Sequence, residues 1–312
     1  MEKFMKAIRV AAYGGPESLE LQDIEEPPVG DDEVLIDVAS TSVNPVDWKI
    51  VTGMMKGFIP LPLPFTPGVD VAGTVAALGR NVTGLAVGAE VFGFIGITGG
   101  YATRAVSSAD RLALKPRNVS LLEAGGIPAT ALTAWQALHE HGGLRAGQRI
   151  LIHGAAGGVG SVAVQLARIA GAEIIATASA RNLEYVKSLG ASTVIDYAAN
   201  DFERNASNVD IVLDLVGGDT QTRSWSVLRR GGTLVSTVSL PDASRGADVG
   251  AIGKRFATRP DGEQLSVLAS LYESGQLRTE IDSVYPLVRA GEALAKSMAG
   301  HVRGKVIIQA NS

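Results

Sequence analysis

The sequence predicts an α/β fold in two parts: a doubly wound parallel sheet and, ahead of it, a β-rich domain. Three observations carry this. A glycine loop, HGAAGGVG at residues 153–160, stands between the apolar run RILI and the helical stretch SVAVQLARIAG. From about residue 120, short all-apolar runs alternate with helical segments, the pattern of a parallel sheet covered on both faces. Before that point, short strand-like runs are closely punctuated by Gly and Pro.

In the first part, MKAIRVAAYG, EVLIDVASTSV, AGTVAALG and EVFGFIG read as strands and MKGFIPLPLPFTPG as a loop. Together they indicate a compact, irregular barrel or sandwich. In the second part, SLLEAGGIPATALTAWQALHEHGG reads as helix interrupted near Pro128. RILIHG, EIIATAS, STVIDY, DIVLDLVG and GTLVSTV read as buried strands. Val159, Ala163, Leu166, Ala167 and Ala170 are predicted to form the sheet-facing side of the helix after the glycine loop. NLEYVKSLG is a second helix, with Asn182 as N-cap and Gly190 as C-terminal stop. GEQLSVLASLYESG is a later helix and RGKVIIQ a last strand, whose partner periodicity does not identify.

A chain of 312 residues calls for two domains, and 46% hydrophobic against 19% charged residues suffices for a large core. The net charge of -4, with no basic cluster longer than Arg229-Arg230, argues against a nucleic-acid partner. Cysteine is absent, which removes disulfides, thiolate nucleophiles and Cys-based zinc sites. The opening MEKFMKAIRV is broken by charges, and no uncharged apolar stretch reaches membrane-spanning length. A cytoplasmic location without a membrane partner is expected.

Strand, glycine turn and helix in that order place a pyrophosphate at the helix N-terminus. Gly157 lets backbone approach the phosphates and Gly160 lets helix and strand pack closely, with Gly158 and Val159 between them. Strict G-x-G-x-x-G spacing would need glycine at 155, where Ala stands. No Lys-Ser/Thr follows, which excludes a P-loop. The second strand ends TASARN, with no acidic residue between Glu173 and Glu184 to hold a ribose 2′-hydroxyl. Ser179 and Arg181 suit a 2′-phosphate instead, so NADPH is expected over NADH. Methyltransferases and regulatory NADP sensors share this loop geometry, so the loop alone does not fix a reaction.

Along nearly its whole length the chain resembles the medium-chain dehydrogenase/reductase superfamily, in its zinc-independent quinone oxidoreductase branch. The matching segments are SVNPVDWK (42–49), TPGVDVAGTV (66–75), GGYAT (99–103), IPATALTAWQAL (127–138), HGAAGGVG (153–160), VIDY (194–197), DLVGG (214–218), GGTLVS (231–236) and GHVRGKVII (300–308). The branch's loop pattern, A/G-x-x-G-x-x-G, is met by Gly154, Gly157 and Gly160. The resemblance implies a GroES-like domain over 1–118, rejoined by 276–312, and a Rossmann NADP-binding domain over 119–275, with the active site in the cleft between them. It also implies a homodimer. Where zinc-dependent members carry Gly-His-Glu this chain has Gly68-Val69-Asp70, and where they carry a Cys it has Asn44-Pro45-Val46-Asp47. Their four-Cys lobe is missing too, so no metal is expected. His139 and His141, two apart on a helix, do not share a metal site.

By the same resemblance Asn44, Asp47 and Lys49 fall on the substrate side as catalytic candidates. Some relatives have Tyr at the position of Lys49, so the proton donor stays open. Thr130 and Val216 match residues facing the nicotinamide, Tyr197 one beside the adenosine and 2′-phosphate, and Lys305 the tail's Gly-Lys motif on the cofactor side. Without a Lewis acid to stabilise an alkoxide, alcohol oxidation is disfavoured, whereas an electron-poor quinone or α,β-unsaturated carbonyl accepts hydride readily. An NADPH-dependent quinone or enone reductase is therefore expected. An enoyl-thioester or polyketide enoyl reductase, and a non-catalytic NADPH-binding regulatory protein, are the alternatives.

Overall fold

The computed structural model describes residues 4–311. Its elements divide into two compact units, Met1–Ala129 with Pro260–Gly275 and Thr279–Ser312, and Thr130–Arg259 with Gln276–Arg278. In chain order the first unit begins with β1 (Phe4–Val10), β2 (Leu19–Glu25), β3 (Glu33–Val43), α1 (Pro45–Val51), β4 (Asp70–Leu78), β5 (Glu90–Phe94), β6 (Arg104–Ser108), β7 (Leu112–Leu114) and α2 (Leu121–Ala124). The division falls within α3 (Pro128–Trp135). The second unit holds β8 (Arg149–Ile152), α4 (Gly158–Ile169), β9 (Glu173–Ala178), α5 (Leu183–Ser188), β10 (Thr193–Asp196), β11 (Val209–Asp214), α6 (Gly218–Ser224), β12 (Leu228–Ser236) and β13 (Ile252–Arg255). The chain then returns to the first unit with α7 (Gly262–Glu273), β14 (Ile281–Pro286), α8 (Ala290–Met298) and β15 (Lys305–Gln309).

β3 organises the first unit. Its alternation buries Val34, Ile36 and Val38 among Val71, Val75, Val91 and Leu112. Each such aliphatic side chain stabilises the fold by about 1.5–3 kcal/mol. On the same alternating positions Ser40 and Ser42 are also fully buried. There hydroxyl bonds replace apolar contact: Ser40 Oγ donates to the Leu121 carbonyl and Ser42 Oγ to Asp70. The strand thus changes from apolar to polar toward its C-terminal end, and α1 follows directly. Irregularities at Leu35/Ile36 and Val38/Ser40 bend it. Its first half pairs with β6, its last residues pair with β15, and β4 lies along the other edge. The seven-stranded sheet runs β14-β15-β3-β4-β5-β7, with β6 beside β3. The tail strand RGKVIIQ therefore lies in the first unit, paired with β3.

In the second unit six parallel strands run in the order β10-β9-β8-β11-β12-β13. This is a doubly wound Rossmann sheet, and its order reverses between β8 and β11. All five expected strands are present; β13 is an additional edge strand with no fully buried residue. The helix α4 departs from the expected single sheet-facing side. Gly160 through Ala167 are buried all round, including Ser161 and Gln165, while Val159 and Ala170 are only partly so. Asn182 does precede α5, but its side chain donates back to Ser179 Oγ rather than capping the helix. Gly190 ends that segment at φ +118°.

The division between units also departs from the expected 118/119 and 275/276 boundaries. Residues 119–129 pack with β3 and β4, and α7 lies so close to β7 that a Cβ on Gly262 would meet the Leu112 carbonyl at 2.5 Å. Only Gln276–Arg278 of the expected tail belong to the second unit. Two buried glutamines hold the second unit's exits by the same device. Gln136 accepts from the Arg259 N–H (3.1 Å) and donates to its carbonyl (3.0 Å). Gln165 accepts from the Arg278 N–H (3.0 Å) and donates to its carbonyl (2.9 Å). Each amide takes the place of a neighbouring strand for one backbone residue.

Replacing Gln165 by Leu keeps the bulk but leaves that N–H and carbonyl unpaired, an expected loss of about 2 kcal/mol or more. Denaturant unfolding of Gln165→Leu checks this, and a midpoint equal to the wild type's would contradict it.

Candidate active site

The sequence-predicted residues fall into two groups, one in each unit. In the second unit, the segments following β8, β9, β10 and β11 leave the sheet at its carboxyl edge, where the strand order reverses. After β8, Gly154 turns at φ +68° and its carbonyl accepts from the Gly157 N–H at 3.1 Å. Gly157 then stands as N-cap of α4. A Cβ on Gly160 would lie 2.3 Å from the Gly154 carbonyl oxygen and 2.7 Å from Ala155 Cα, so only glycine lets the helix sit on the turn. A Cβ on Gly157 would meet nothing closer than 3.5 Å. The helix packs tightly at one glycine and stays open at the other. Its first turn, with Gly158, Val159 and Gly160, carries no acidic residue, and its leading N–H groups have no intrahelical partner. That combination fits a phosphate.

After β9 comes Ser179, partly buried, then the exposed Arg181. After β10, Tyr197 is 54% exposed, held by its N–H on the Ala178 carbonyl. After β11, Val216 is 53% exposed and lies against the glycine turn: a Cβ on Gly154 would be 3.5 Å from Val216 Cγ2. The fully buried Asp214 builds that presentation. Its Oδ1 accepts from the N–H groups of Val216 (3.0 Å) and Gly217 (2.8 Å), and its Oδ2 from Gln221 and Ser236. Each of Tyr197 and Val216 is half-exposed beyond the carboxyl end of its strand, where its side chain can meet a flat ring. Thr130 is buried near the start of α3. His153 is buried too, its ring nitrogens 3.0 Å from Thr177 Oγ1 and 3.0 Å from Ser224 Oγ. Burial lowers its pKa to about 4, so it is a neutral tie between β8, β9 and α6. His139 and His141 lie in rings of contact with Trp135 and Phe256 respectively.

In the first unit, Asn44, Asp47 and Lys305 meet in one buried polar cluster, together with Asp70, Tyr101 and Ser42. Asn44 precedes Pro45 at the start of α1, and Asp47 reaches back from the first turn to accept its N–H at 2.7 Å. The Asn44 side chain turns inward. Its Nδ2 donates to Asp70 Oδ2 (2.8 Å) and its Oδ1 accepts from Lys305 Nζ (2.8 Å). Lys305 also donates to the Val43 carbonyl at 3.0 Å. The resemblance set Lys305 on the cofactor side; the structure buries its ammonium beside Asn44 instead. Asp47 was expected as a catalytic residue, yet it is 0% exposed. Its Oδ2 accepts from Tyr101 OH at 3.1 Å, and its Oδ1 has no partner among the described residues. Lys49 lies half-buried further along α1, its Nζ 5.5 Å from the Trp48 ring centroid.

Burial dominates the electrostatics of this cluster. It raises Asp47 to about 7, with the Asp70 charge adding and the Asn44 N–H, Lys305 and Tyr101 opposing. It raises Asp70 and lowers Lys305, and it drives Tyr101 well above an ordinary phenol. In the sequence Asp70 and Tyr101 stand only within GVD and GGYAT, and nothing marks them as neighbours, because 31 positions separate them. Among the described residues, no three His, Cys, Asp or Glu stand together to hold a metal ion.

The comparisons agree with this architecture. A family model described as alcohol dehydrogenase GroES-like domain matches residues 30–117, and one described as zinc-binding dehydrogenase matches 189–308. The chloroplastic quinone oxidoreductase of Triphysaria versicolor is 36% identical over 98% of this chain and 99% of its own. The chloroplastic NADPH-dependent alkenal/one oxidoreductase of Arabidopsis thaliana is 35% identical over 98% of this chain and 80% of its own. The structure of Escherichia coli quinone oxidoreductase complexed with NADPH matches with a TM-score of 0.89 and 26% identity, over 97% of this chain and 99% of that one. The fold and its glycine turn define a medium-chain dehydrogenase/reductase, and the chain belongs to the quinone oxidoreductase-like members of that family. No helix among the described residues is long and apolar enough to cross a membrane.

The raised pKa of Asp47 sets a sign for stability against pH. Its folded value, about 7, exceeds its reference of 3.8, so the folded state holds the proton more tightly. The resulting stabilisation is full below the reference value and is lost as pH rises through about 7. Asp47→Asn cannot titrate there. The stability of the wild type relative to this variant should therefore fall between roughly pH 4 and pH 8, in unfolding curves taken at several pH values. A difference that stays flat, or rises, would contradict the assignment.

Proposed function

We propose that the chain is an NADPH-dependent reductase of quinones or α,β-unsaturated carbonyls that works without a metal and acts as a homodimer. The observation that carries the cofactor choice is the end of β9, where Ser179 and Arg181 stand and no carboxylate does. A carboxylate there would hold a ribose 2′-hydroxyl and repel a 2′-phosphate. The names of the Arabidopsis and Escherichia coli relatives support the same choice. NADPH supplies hydride to an electron-poor carbon, while negative charge collects on the acceptor's carbonyl oxygen.

The chain's own residues bind and orient. The N–H groups at Gly157, Gly158, Val159 and Gly160 would receive the pyrophosphate, with Gly154 providing the turn. Ser179 and Arg181 would hold the 2′-phosphate and Tyr197 the adenosine side, while Val216 and Thr130 would face the nicotinamide. On the substrate side, Lys49 supplies the donor best suited to a developing oxyanion. Asn44 and Asp47 act from inside, since both are buried and hydrogen-bonded within the protein. Val69 has no atom to bind a metal where zinc-dependent relatives have His, which supports the metal-free reading.

The function is tested by NADPH consumption against a panel of 1,4-quinones, enones and enoyl thioesters, with zinc and chelator as controls. Turnover of quinones or enones, unchanged by either control, is the expected result. Turnover confined to thioesters would move the assignment to the enoyl reductases, and none at all to a binding protein. For the cofactor, Arg181→Ala should weaken NADPH binding by about 10- to 100-fold and leave NADH binding unchanged, because one charge-assisted contact is removed. Titrations of both nucleotides check this, and tighter NADH binding by the wild type would overturn the 2′-phosphate site.

A further inference from the structure

Asp70 enters the sequence only as a residue that stands where metal-dependent relatives have a ligand motif, and the functional reading leaves it idle. Its geometry is not idle. The side chain is 0% exposed, and its two oxygens serve different segments. Oδ2 accepts from Asn44 Nδ2 (2.8 Å) and Ser42 Oγ (2.7 Å). Oδ1 accepts from the backbone N–H of Ala129 (2.7 Å), in the first turn of α3. The Asp70 carbonyl takes a fourth bond, from Thr41 Oγ1 (2.6 Å). One carboxylate therefore ties the end of β3, the start of α1 and the first turn of α3, whose next residue is Thr130.

Lys305 completes the arrangement from the opposite side of Asn44. The amide has a carboxylate on its nitrogen and an ammonium on its oxygen. Turning it over would set Nδ2 against the ammonium and Oδ1 against the carboxylate, two repulsions among buried groups. The orientation of Asn44 is thus fixed by charge rather than by packing. Burying a carboxylate and an ammonium is unfavourable in itself, and apolar residues of equal size would often give a more stable core. Fixing an orientation is a return that apolar residues cannot supply. At the N-terminal turn of α3, Asp70 Oδ1 accepts the Ala129 N–H, a place where a carboxylate complements the helix dipole.

We propose that Asp70 is a positioning residue for the reduction: with Lys305 it locks the Asn44 amide, and through Ala129 it fixes the start of the helix that carries Thr130. The proposal rests on the functional reading above. It is tested with Asp70→Asn, which keeps the shape but places an N–H donor where only acceptors are wanted, and with Asn44→Ala and the double variant. A displacement of about 1 Å among groups that order a reacting pair can lower turnover about 100-fold. The expected result for Asp70→Asn is a kcat lower by about 10- to 100-fold, with the quinone KM and the NADPH Kd within about twofold of wild type. In the double variant the losses should not add, leaving it close to the worse single variant.

A second readout needs no turnover. Hydrogen exchange of the Ala129 amide, followed by mass spectrometry on the peptide that contains it, should quicken in Asp70→Asn while exchange in β4 and β5 stays as in the wild type. If Asp70→Asn does not fold, Lys305→Gln decides by the same kinetic measurements, and its kcat should also fall with KM unchanged. A folded Asp70→Asn with wild-type kcat, or losses that add with those of Asn44→Ala, overturns the proposal. A wild type that reduces no quinone or enone overturns the functional reading instead, and the exchange result then shows separately whether Asp70 orders α3.

Discussion

A buried ammonium and a buried carboxylate meet through one asparagine: Lys305 Nζ on Asn44 Oδ1, and Asn44 Nδ2 on Asp70 Oδ2. The first unit is arranged so that this chain of contacts can exist. Its three members come from β15, the start of α1 and the start of β4, so the tail must return across more than two hundred residues to pair with β3. Charges out of water are tolerated only when hydrogen bonds satisfy them, and here nearly every polar atom has a partner. Within the cluster the exception among the described residues, Asp47 Oδ1, belongs to a carboxyl that burial raises to about 7. An unpaired oxygen is less costly on a protonated carboxyl than on a carboxylate, so the two observations have one explanation.

The second unit is governed by a contact of another kind, the approach of α4 to the turn at Gly154. No side chain fits at Gly160, and this alone lets the N-terminus of the helix stand at the reversal point of the sheet. α4 is buried almost all round, and Gln165 within it closes onto the Arg278 backbone. The helix end that would face a phosphate is therefore the tip of a firmly held element. Asp214 gives the same rigidity to the opposite side of the turn by holding Val216 and Gly217. Preorganised N–H groups and a fixed apolar surface are what a dinucleotide site needs before any ligand arrives.

Periodicity and glycine placement made most of this legible. The strands β3, β4, β5 and β8 to β12 follow from apolar runs bounded by Gly and Pro, and α4 from its place after the glycine loop. β13 escaped because an edge strand buries too little to need an apolar run. The boundaries near 118 and 275 moved because a change in texture along the chain reports local structure, whereas α7 is placed by contact with β7. The second-unit candidates other than Thr130, which lies in α3, each follow a strand whose position the pattern gave. The first-unit cluster was legible only as isolated residues. That Asp70, Tyr101 and Lys305 share one site with Asn44 depends on pairings between distant strands, which no local pattern encodes. The burial of Asp47 was likewise hidden, since its place in the first turn of α1 gives no sign of the tyrosine above it.

The proposed reaction is direct reduction of a carbon acceptor by NADPH without a metal. It is tested most directly by presenting an α,β-unsaturated ketone together with NADPH deuterated at C4, in buffer containing a chelator, and locating the label in the product by NMR. The expected result is deuterium on the β-carbon for one of the two C4 epimers, at a rate the chelator does not change. Label absent from the product, or turnover abolished by the chelator, would contradict it.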